Sequence, residues 1–395
     1  MQPTSVLATL SGRDRPGVTA AFFASLAAHD VDIRDVEQVV IRDRLILAVL
    51  FDLHGDPGPL RRSVASAAAA LGMECEVALA DRAPSRRHDR CELSHVILIG
   101  RPLRAGALSH VTQCIADLGA NIESVTQLAS EPASSLEMIV RTPDPAALRA
   151  ALVGAADFTG VDIAVEPAGL RRRAKRLVVL DVDSTLIQDE AIDVLAARAG
   201  VGAEVAALTE RAMNGEIDFG ESLRARVSLL AGLTIADLDA VRASLTLTPG
   251  ARTFVRTLRR VGYYVGVVSG GFTFVTDRFV AELGLDFAAA NELEVVDGVL
   301  TGRVVGEIVD RAGKAKALER FADQFGVPTS QTVAVGDGAN DIDMLEAAGL
   351  GVAFNAKAAL RNSADAAVNL PYLDTVLFVL GISDEDVAEA AETHA

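Results

Sequence analysis

The chain has 395 residues, half of them apolar, with 37 basic against 54 acidic side chains and a formal net charge of −17. At ~150 residues per domain this length suits two or three domains with full cores, and the apolar fraction excludes a disordered chain. The acidity, the absence of Trp and the 4% aromatic content exclude a nucleic-acid binder or a protein drawn to anionic membranes. No apolar run approaches the ~20 residues of a membrane-spanning helix, and the N-terminus lacks a basic-then-apolar signal pattern. Cys75, Cys91 and Cys114 are odd in number and widely spaced, which fits reduced thiols better than disulfides or a zinc site. A cytoplasmic protein is expected.

In chain order, the first 170 residues hold an internal repeat. A shift of 89 places Gly17 on Gly106, Leu26 on Ile115, Ile33 on Ile122, Val36 on Val125 and Gln38 on Gln127. Each copy starts with an apolar strand (SVLATL, then SHVILIG), followed by a turn and an amphipathic helix. Two alternating strands, an Ala-rich helix and a short strand complete it. That order is βαββαβ, a ferredoxin-like unit. The polar stretch 83–90, APSRRHDR, reads as the linker between copies, and the basic run near 167–176 marks a second boundary.

From Leu177 the pattern becomes strand–helix alternation. RLVVL, YYVGVV and TVAV each end in a Gly- or Asp-bearing turn that leads to a helix, the pattern of a doubly wound parallel sheet. About sixty residues between Thr185 and Thr248 carry only helical patterning and form an insert after the first of these strands. LEVV-DG-VLTG predicts a hairpin turning at Asp297-Gly298. The tail after Ser383 reads as a short acidic helix, a solvated end. The division is 1–85, 86–170 and 171–395, with a helical cap at about 186–248.

The chemistry gathers at strand ends. RLVVL runs into Asp181-Val182-Asp183-Ser184-Thr185, and the carboxyl edge of a parallel strand is where open α/β sheets bind ligands. Such a dense anionic group calls for a cation, although D-x-D alone also fits an Asx turn. Ser269, Gly270 and Gly271 follow YYVGVV, where a hydroxyl and loop amides opening a helix make a phosphate cradle or an ordinary turn. TVAVGDGANDIDM delivers Asp337, Asn340, Asp341 and Asp343. Asp337 precedes the helix and is the better metal-ligand candidate, while the acids at the helix start also suit its dipole. Only four of the 37 basic residues are Lys, and two of them are Lys314 and Lys316. A compact ammonium kept in an Arg-using chain points to a role for it, against the reading of a surface Lys.

D-x-D-x-T, S-G-G, a Lys and G-D-G-x-N-D in this order resemble the haloacid dehalogenase superfamily of phosphotransferases. DVDSTLIQDE, RAMNGEIDF, SLRARVSLL, VVSGGF and AVGDGANDIDM are similar to the phosphoserine phosphatase family within it, from about Leu177 to Leu380. The N-terminal repeats resemble ACT domains, small amino-acid-sensing modules. The fold expected is therefore α/β: a Rossmann-like parallel sheet with a helical cap, preceded by two ferredoxin-like ACT domains. The resemblance implies a Mg²⁺-dependent hydrolase that converts O-phospho-L-serine to L-serine and phosphate, the last step of serine biosynthesis. Asp181 would be the nucleophile and Asp183 the acid and base. Mg²⁺ would sit on Asp181, the Asp183 main-chain carbonyl and Asp337. Ser269, Gly270 and Lys314 would hold the phosphoryl oxygens, with Asn340 near the phosphate or serine end. Asp341 would be an outer or capping residue and Lys316 exposed.

In the cap, Glu190 and Arg226 match the positions that take the substrate's ammonium and carboxylate, against the reading of a solvent-facing pair. Met213 and Phe219 match apolar positions near the substrate, or plain core. Gly17 and Gly106 end the first turn of each ACT copy, where effector contacts gather, and Asn121 begins the next strand opposite Asp32 of the other copy. Serine is the effector implied and a homodimer the assembly. Asp14-Arg15-Pro16 faces Arg104-Ala105 with a one-residue slip, so the two effector sites differ or one is silent. Two other readings remain: a phosphotransferase or phosphatase for another small ester, and an amino-acid sensor with a vestigial phosphatase domain.

Overall fold

The computed structural model describes residues 3–80, 92–169, 174–214, 216–356 and 358–392. The expected linker at 83–90, Cys91 and residues 170–173 of the basic run lie outside the described residues, as does the side chain of Met213. The chain forms two compact units, 1–89 and 90–395.

In the first unit β1 (Thr4–Arg13), α1 (Val18–Ala27), β2 (Val31–Ile41), β3 (Arg44–Leu53), α2 (Pro57–Ala70) and β4 (Glu74–Leu79) follow the expected βαββαβ order. The sheet runs β2-β3-β1-β4, antiparallel throughout. Alternation puts Val6, Ala8 and Leu10 in one core with Phe22 and Leu26 of α1 and Leu60 and Val64 of α2. A period of two on the strand thus meets a period of 3.6 on the helices. The chain enters α1 through Gly17 at φ +93°, a conformation a side chain would strain. Asp56 caps α2 by accepting the Gly58 N–H at 3.0 Å, with Pro in the first turn.

The second unit opens with the same order: β5 (Glu92–Gly100), α3 (Ala105–Asp117), β6 (Asn121–Ala129), β7 (Ser134–Thr142), α4 (Pro145–Thr159) and β8 (Asp162–Pro167). Gly106 does not end the turn, as the repeat suggested. It is the second residue of α3, and Arg104 takes the cap position. The one-residue slip is therefore a real difference in how the two copies enter their first helix.

Then comes β9 (Leu177–Leu180), followed by the insert, which is four helices: α5 (Ala191–Ala199), α6 (Gly202–Met213), α7 (Phe219–Ser228) and α8 (Ile235–Ser244). Its two ends are tied at Ile187 and Leu247. After it run α9 (Ala251–Val261), β10 (Tyr264–Phe272), α10 (Thr273–Leu283), β11 (Phe287–Val296) and β12 (Val299–Val305). The chain continues with α11 (Arg311–Gln324), β13 (Thr332–Gly336), α12 (Ile342–Ala347), β14 (Gly351–Phe354) and β15 (Ala366–Val368). The β11–β12 hairpin turns at Asp297 (φ +52°) and Gly298 (φ +80°), the two left-handed residues of a type I′ turn. It braces the cap: Gly232 and Ile235 donate their N–H groups to the carbonyls of Leu300 and Gly298.

All strands of this unit form one sheet, β12-β11-β10-β9-β13-β14-β15-β8-β5-β7-β6. β9 lies between β10 and β13, parallel to both. The chain steps outward from β9 through β10 to β11 and β12, then crosses back to β13 and steps outward the other way to β14 and β15, so the carboxyl ends of β9 and β13 flank the switch point where such sheets form a crevice. The short strands β14 and β15 escaped the sequence reading, and with them the joint to the second repeat. There β15 meets β8 at Ala366 and Ala164. Asp162 accepts from the main-chain and side-chain N–H of Asn369 at 2.8 and 2.6 Å. Arg149 donates to Asp365 at 2.9 Å. Ile97, Ile99 and Ala129 share a core with Val376, Leu377 and Phe378. The C-terminal helix Asp384–Ala391 is docked as well as solvated, because Ala390 is buried and Asp384 accepts the Ser130 N–H at 3.1 Å. Among the described residues, no helix is long and apolar enough to cross a membrane.

Asp162→Ala removes both acceptors of Asn369, an exposed residue whose donors then turn to water, at an expected cost of about 0.5–1.5 kcal/mol. Denaturant midpoints measure this, and hydrogen exchange should rise first at Ala366–Asn369.

Candidate active site

Three neighbouring strands end at one level and each delivers a motif. Leu180 of β9 is in register with Val267 of β10 and Val335 of β13. Asp181, the Ser269-Gly270-Gly271 segment and Asp337 therefore emerge side by side. Beyond Asp181 the backbone leaves strand geometry: Asp183 is extended and Ser184 is left-handed at φ +57°. This kink turns both carboxylates of the D-x-D toward the crevice, which a straight strand does not do cleanly. A non-glycine residue at positive φ is costly and clusters at functional sites. Here Ser184 is held by its side chain, which donates to Glu190 at 2.8 Å.

Lys314 anchors the floor. It is 1% exposed, and its Nζ lies 2.8 Å from Asp181 Oδ1 and 2.7 Å from Asp341 Oδ1. Asp341 is fully buried; its other oxygen accepts the N–H groups of Asp337 at 3.2 Å and Gly338 at 3.1 Å. Burial works to lower the Lys314 pKa, but Asp181 and Asp341 outweigh it and the ammonium is held firmly charged. Burial, then the charge of Asp341, push Asp181 well above the usual carboxylate range, against Lys314 pulling it down. Lys316 is exposed on the same helix, as expected.

Asp183 accepts from the Ala191 N–H at 2.8 Å and from Ser269 Oγ at 3.3 Å. Burial raises its pKa, with the Ala191 bond opposing, so it holds a proton more readily than an ordinary aspartate. Ser269 Oγ in turn accepts the Gly271 N–H at 2.8 Å. A Cβ on Gly271 would lie 2.6 Å from Asp183 Oδ2, so only glycine lets the loop approach the acid this closely. Asp337 accepts from Thr185 Oγ1 at 3.2 Å, and burial followed by the charge of Asp341 pushes it up to about 6.

The carboxylate oxygens of Asp181, Asp337 and Asp341 lie within 4.8 Å of one another. Such an oxygen-only set suits a hard divalent cation. Asp341 is already engaged by Lys314 and two N–H groups, which leaves Asp181 and Asp337 as the carboxylates facing outward. The carboxylate of Asp183 stands apart from this set and faces Ser269 and Ala191.

Above the floor lies a cavity of about 540 Å³ lined by Asp181, Asp183, Gly270, Asp337 and Asn340 at one end and by Glu190, Arg226, Phe219 and Thr209 toward the cap. Withdrawal from water, then the nearby charge of Asp183, push Glu190 up to about 7. Burial lowers the Arg226 pKa, while Asp193 and Glu190 oppose this. Arg226 is tethered by long bonds of 3.4 Å to the Ser222 carbonyl and to Thr209 Oγ1, so its donors stay available to the cavity. The motif residues and the cap pair thus share one chamber. The effector candidates do not. Gly17 lies in the first unit, while Gly106 and the exposed Asn121, which opens β6, lie in the second.

Sequence reasoning missed two things. Asp341 was expected to cap or stand in an outer position, and it does accept loop N–H groups, but it is also one of the two buried partners of Lys314. Asn291 was not singled out. Its only signal was a polar residue at the start of the alternating LEVV pattern.

Fold and site together define a hydrolase of the haloacid dehalogenase type preceded by two ferredoxin-like repeats. The haloacid dehalogenase-like hydrolase model matches residues 178–346, and ACT domain models match 4–78 and 94–166. The phosphoserine phosphatase of Streptomyces coelicolor is 55% identical over 395 residues, covering 99% of this chain and 95% of that protein. A crystal structure of a probable phosphoserine phosphatase from Vibrio cholerae matches with TM-score 0.59 at 36% identity, over 75% of this chain and 88% of that one. A structure titled as a phospho-aspartyl intermediate analogue of phosphoserine phosphatase matches with TM-score 0.50 at 44% identity, over 52% of this chain and 98% of that one. The chain belongs to the phosphoserine phosphatase family of haloacid dehalogenase-like hydrolases, in the form that carries two ACT domains.

Removing one member of a buried ion group leaves the others uncompensated, typically at about 3–5 kcal/mol. Lys314→Met should show this loss in thermal melts at pH 7.5. A carboxyl with a raised native pKa favours the native state as pH falls, so the deficit should shrink toward pH 5 as Asp181 takes up a proton.

Proposed function

We propose that the protein hydrolyses O-phospho-L-serine to L-serine and phosphate in the last step of serine biosynthesis. One observation carries the reading: a single chamber is lined by Asp181, Asp183, Gly270 and Asp337 at one end, with Lys314 buried behind Asp181, and by Glu190 with Arg226 at the other. The first end matches a dianionic phosphoryl group, the second an ammonium and a carboxylate side by side. Arg226 offers a planar fork to the carboxylate and Glu190 an anion to the ammonium.

Asp181 attacks phosphorus, forming a P–O bond as the P–O bond to the serine side chain breaks. Asp183, whose pKa burial raises, gives a proton to the leaving alkoxide. Now a carboxylate, it takes a proton from the water that attacks the aspartyl phosphate. The P–O bond to Asp181 breaks, phosphate leaves, and Asp183 is again the acid. Lys314, Ser269 and the Gly270 amide hold the phosphoryl oxygens, with the Gly271 N–H orienting the Ser269 hydroxyl, and Asn340 borders them. In phosphoryl transfer such positioning and charge are most of the catalysis. Mg²⁺ would be held by Asp181, Asp337 and the Asp183 main-chain carbonyl, where it supplies the positive charge that four carboxylates and one lysine lack.

The three modules 1–85, 86–170 and 171–395 would divide sensing from catalysis, with serine as an effector near Gly17, Gly106 and Asn121. A homodimer is supported by Ile33, Val39, Ile41 and Ile46, apolar side chains left exposed on β2 and β3. A cytoplasmic setting is supported by the free thiols of Cys75 and Cys114.

Asp181→Asn should abolish phosphate release from phosphoserine; undiminished turnover would remove the nucleophile assignment. Glu190→Ala and Arg226→Ala should raise KM for phosphoserine far more than for p-nitrophenyl phosphate, and equal losses on both would contradict the cap assignment. Asp337 must shed its proton to bind a cation, so Mg²⁺ affinity should weaken below about pH 6, by roughly tenfold per pH unit for each proton displaced. Titration calorimetry at pH 5, 6 and 7.5 measures this.

A further inference from the structure

Asn291 joins the two halves of the phosphate-binding floor. It lies in β11 opposite Phe272, where the parallel ladder with β10 is broken between Val268 and Phe272 by the Ser269-Gly270-Gly271 segment. Its side chain is 1% exposed. The amide Nδ2 donates to the Gly270 carbonyl at 2.8 Å, and Oδ1 accepts the Val309 N–H at 2.8 Å. A carbonyl only accepts and an N–H only donates, so both ends of the amide are assigned without ambiguity, and a carboxylate cannot satisfy both. The broken ladder leaves the Gly270 carbonyl without a strand partner, and Val309 lies between β12 and α11, outside any strand; Asn291 supplies a partner to each.

Both bonds have consequences at the reacting end. In a trans peptide C=O and N–H point in opposite directions. Holding the Gly270 carbonyl toward Asn291 therefore turns the Gly271 N–H the other way, onto Ser269 Oγ at 2.8 Å. That hydroxyl is the one that reaches Asp183. On the other side, Val309 precedes Asp310, whose carboxylate caps α11 through the Gly313 N–H at 2.7 Å and whose carbonyl accepts the Lys314 N–H at 2.8 Å. Fixing Val309 therefore fixes where the helix carrying Lys314 begins. The two segments are in contact as well, since a Cβ on Gly270 would lie 3.7 Å from the Val309 carbonyl oxygen.

We propose that Asn291 is a positioning residue for phosphoryl transfer: it sets the loop amides and Lys314 in one frame relative to Asp181. The inference rests on the phosphatase reading above. It acts on the phosphoryl end alone, so it is blind to what the phosphate is esterified to.

The test compares the full-length wild type with Asn291→Asp and Asn291→Ala on phosphoserine and on p-nitrophenyl phosphate, with Mg²⁺, well below each variant's melting temperature. Asn291→Asp keeps the acceptor for Val309 but sets an oxygen against the Gly270 carbonyl. We expect kcat to fall roughly 10–100-fold in both variants, by the same factor on both substrates, with KM moving far less. Folded variants with kcat within about twofold of wild type, or a loss confined to phosphoserine, would overturn the proposal. Failure of both variants to fold would assign Asn291 to the core alone and overturn it too. No turnover of phosphoserine by the wild type would instead overturn the phosphatase reading, and this inference with it.

Discussion

Lys314 sits between Asp181 and Asp341 with almost no access to water. Withdrawing three charges from water is expensive, and their attraction offsets this only when geometry is good and every remaining donor or acceptor is satisfied. The surrounding structure supplies several of these partners. Asp341 gives its second oxygen to two loop N–H groups, and Asp181 accepts the Val182 N–H at 2.7 Å. The Lys314 helix is pinned at its start by Asp310. One ammonium does not balance the carboxylates around it, and the remainder pushes Asp181 and Asp337 upward in pKa. That excess of carboxylate is what the proposed Mg²⁺ would offset.

The topology explains why such a group can assemble from segments more than 150 residues apart. β9 sits between β10 and β13, so the three strand ends that carry the motifs are neighbours although the cap is inserted between the first two. The insertion point lies directly above the D-x-D, which is why cap residues such as Glu190 and Arg226 reach the same chamber. The second ACT repeat is built into this sheet through β8 and β15, and Arg149 of that repeat grips Asp365 at the base of β15. Asp365 also accepts the Gly351 N–H of β14 at 2.9 Å. The second repeat is thus hydrogen-bonded to β14 and β15, the strands beyond β13 and Asp337, and the first unit has its own core and its own open sheet face.

Much of this was legible in the sequence. The βαββαβ repeats, the strand–helix alternation, the hairpin turn and the placing of the acidic and Gly-rich motifs at strand ends follow from periodicity and turn chemistry acting locally, whereas the roles of single residues came from the family resemblance. What escaped was set by tertiary pairing. β14 and β15 are too short to show a period of their own and exist because neighbours supply their ladders. Gly106 aligned with Gly17 by residue type, but helix entry depends on the cap before it, where Arg104 and Gly17 differ. Asp341 looked like an ordinary helix-start acid until the fold brought Lys314 against it. Asn291 shows the same limit, since one partner, Gly270, lies in a ladder break and the other, Val309, in the segment before α11, and no local pattern announces either. The acidity that first excluded nucleic acid thus has one concrete seat, a crevice of carboxylates arranged around a single lysine.

The most direct test of that arrangement is to quench the full-length protein with acid during turnover of phosphoserine and map any added phosphoryl group by mass spectrometry. The account predicts one phosphoryl group on the peptide containing Asp181, absent in Asp181→Asn. Turnover with no protein-bound phosphoryl group, or one carried by a different residue, would contradict it.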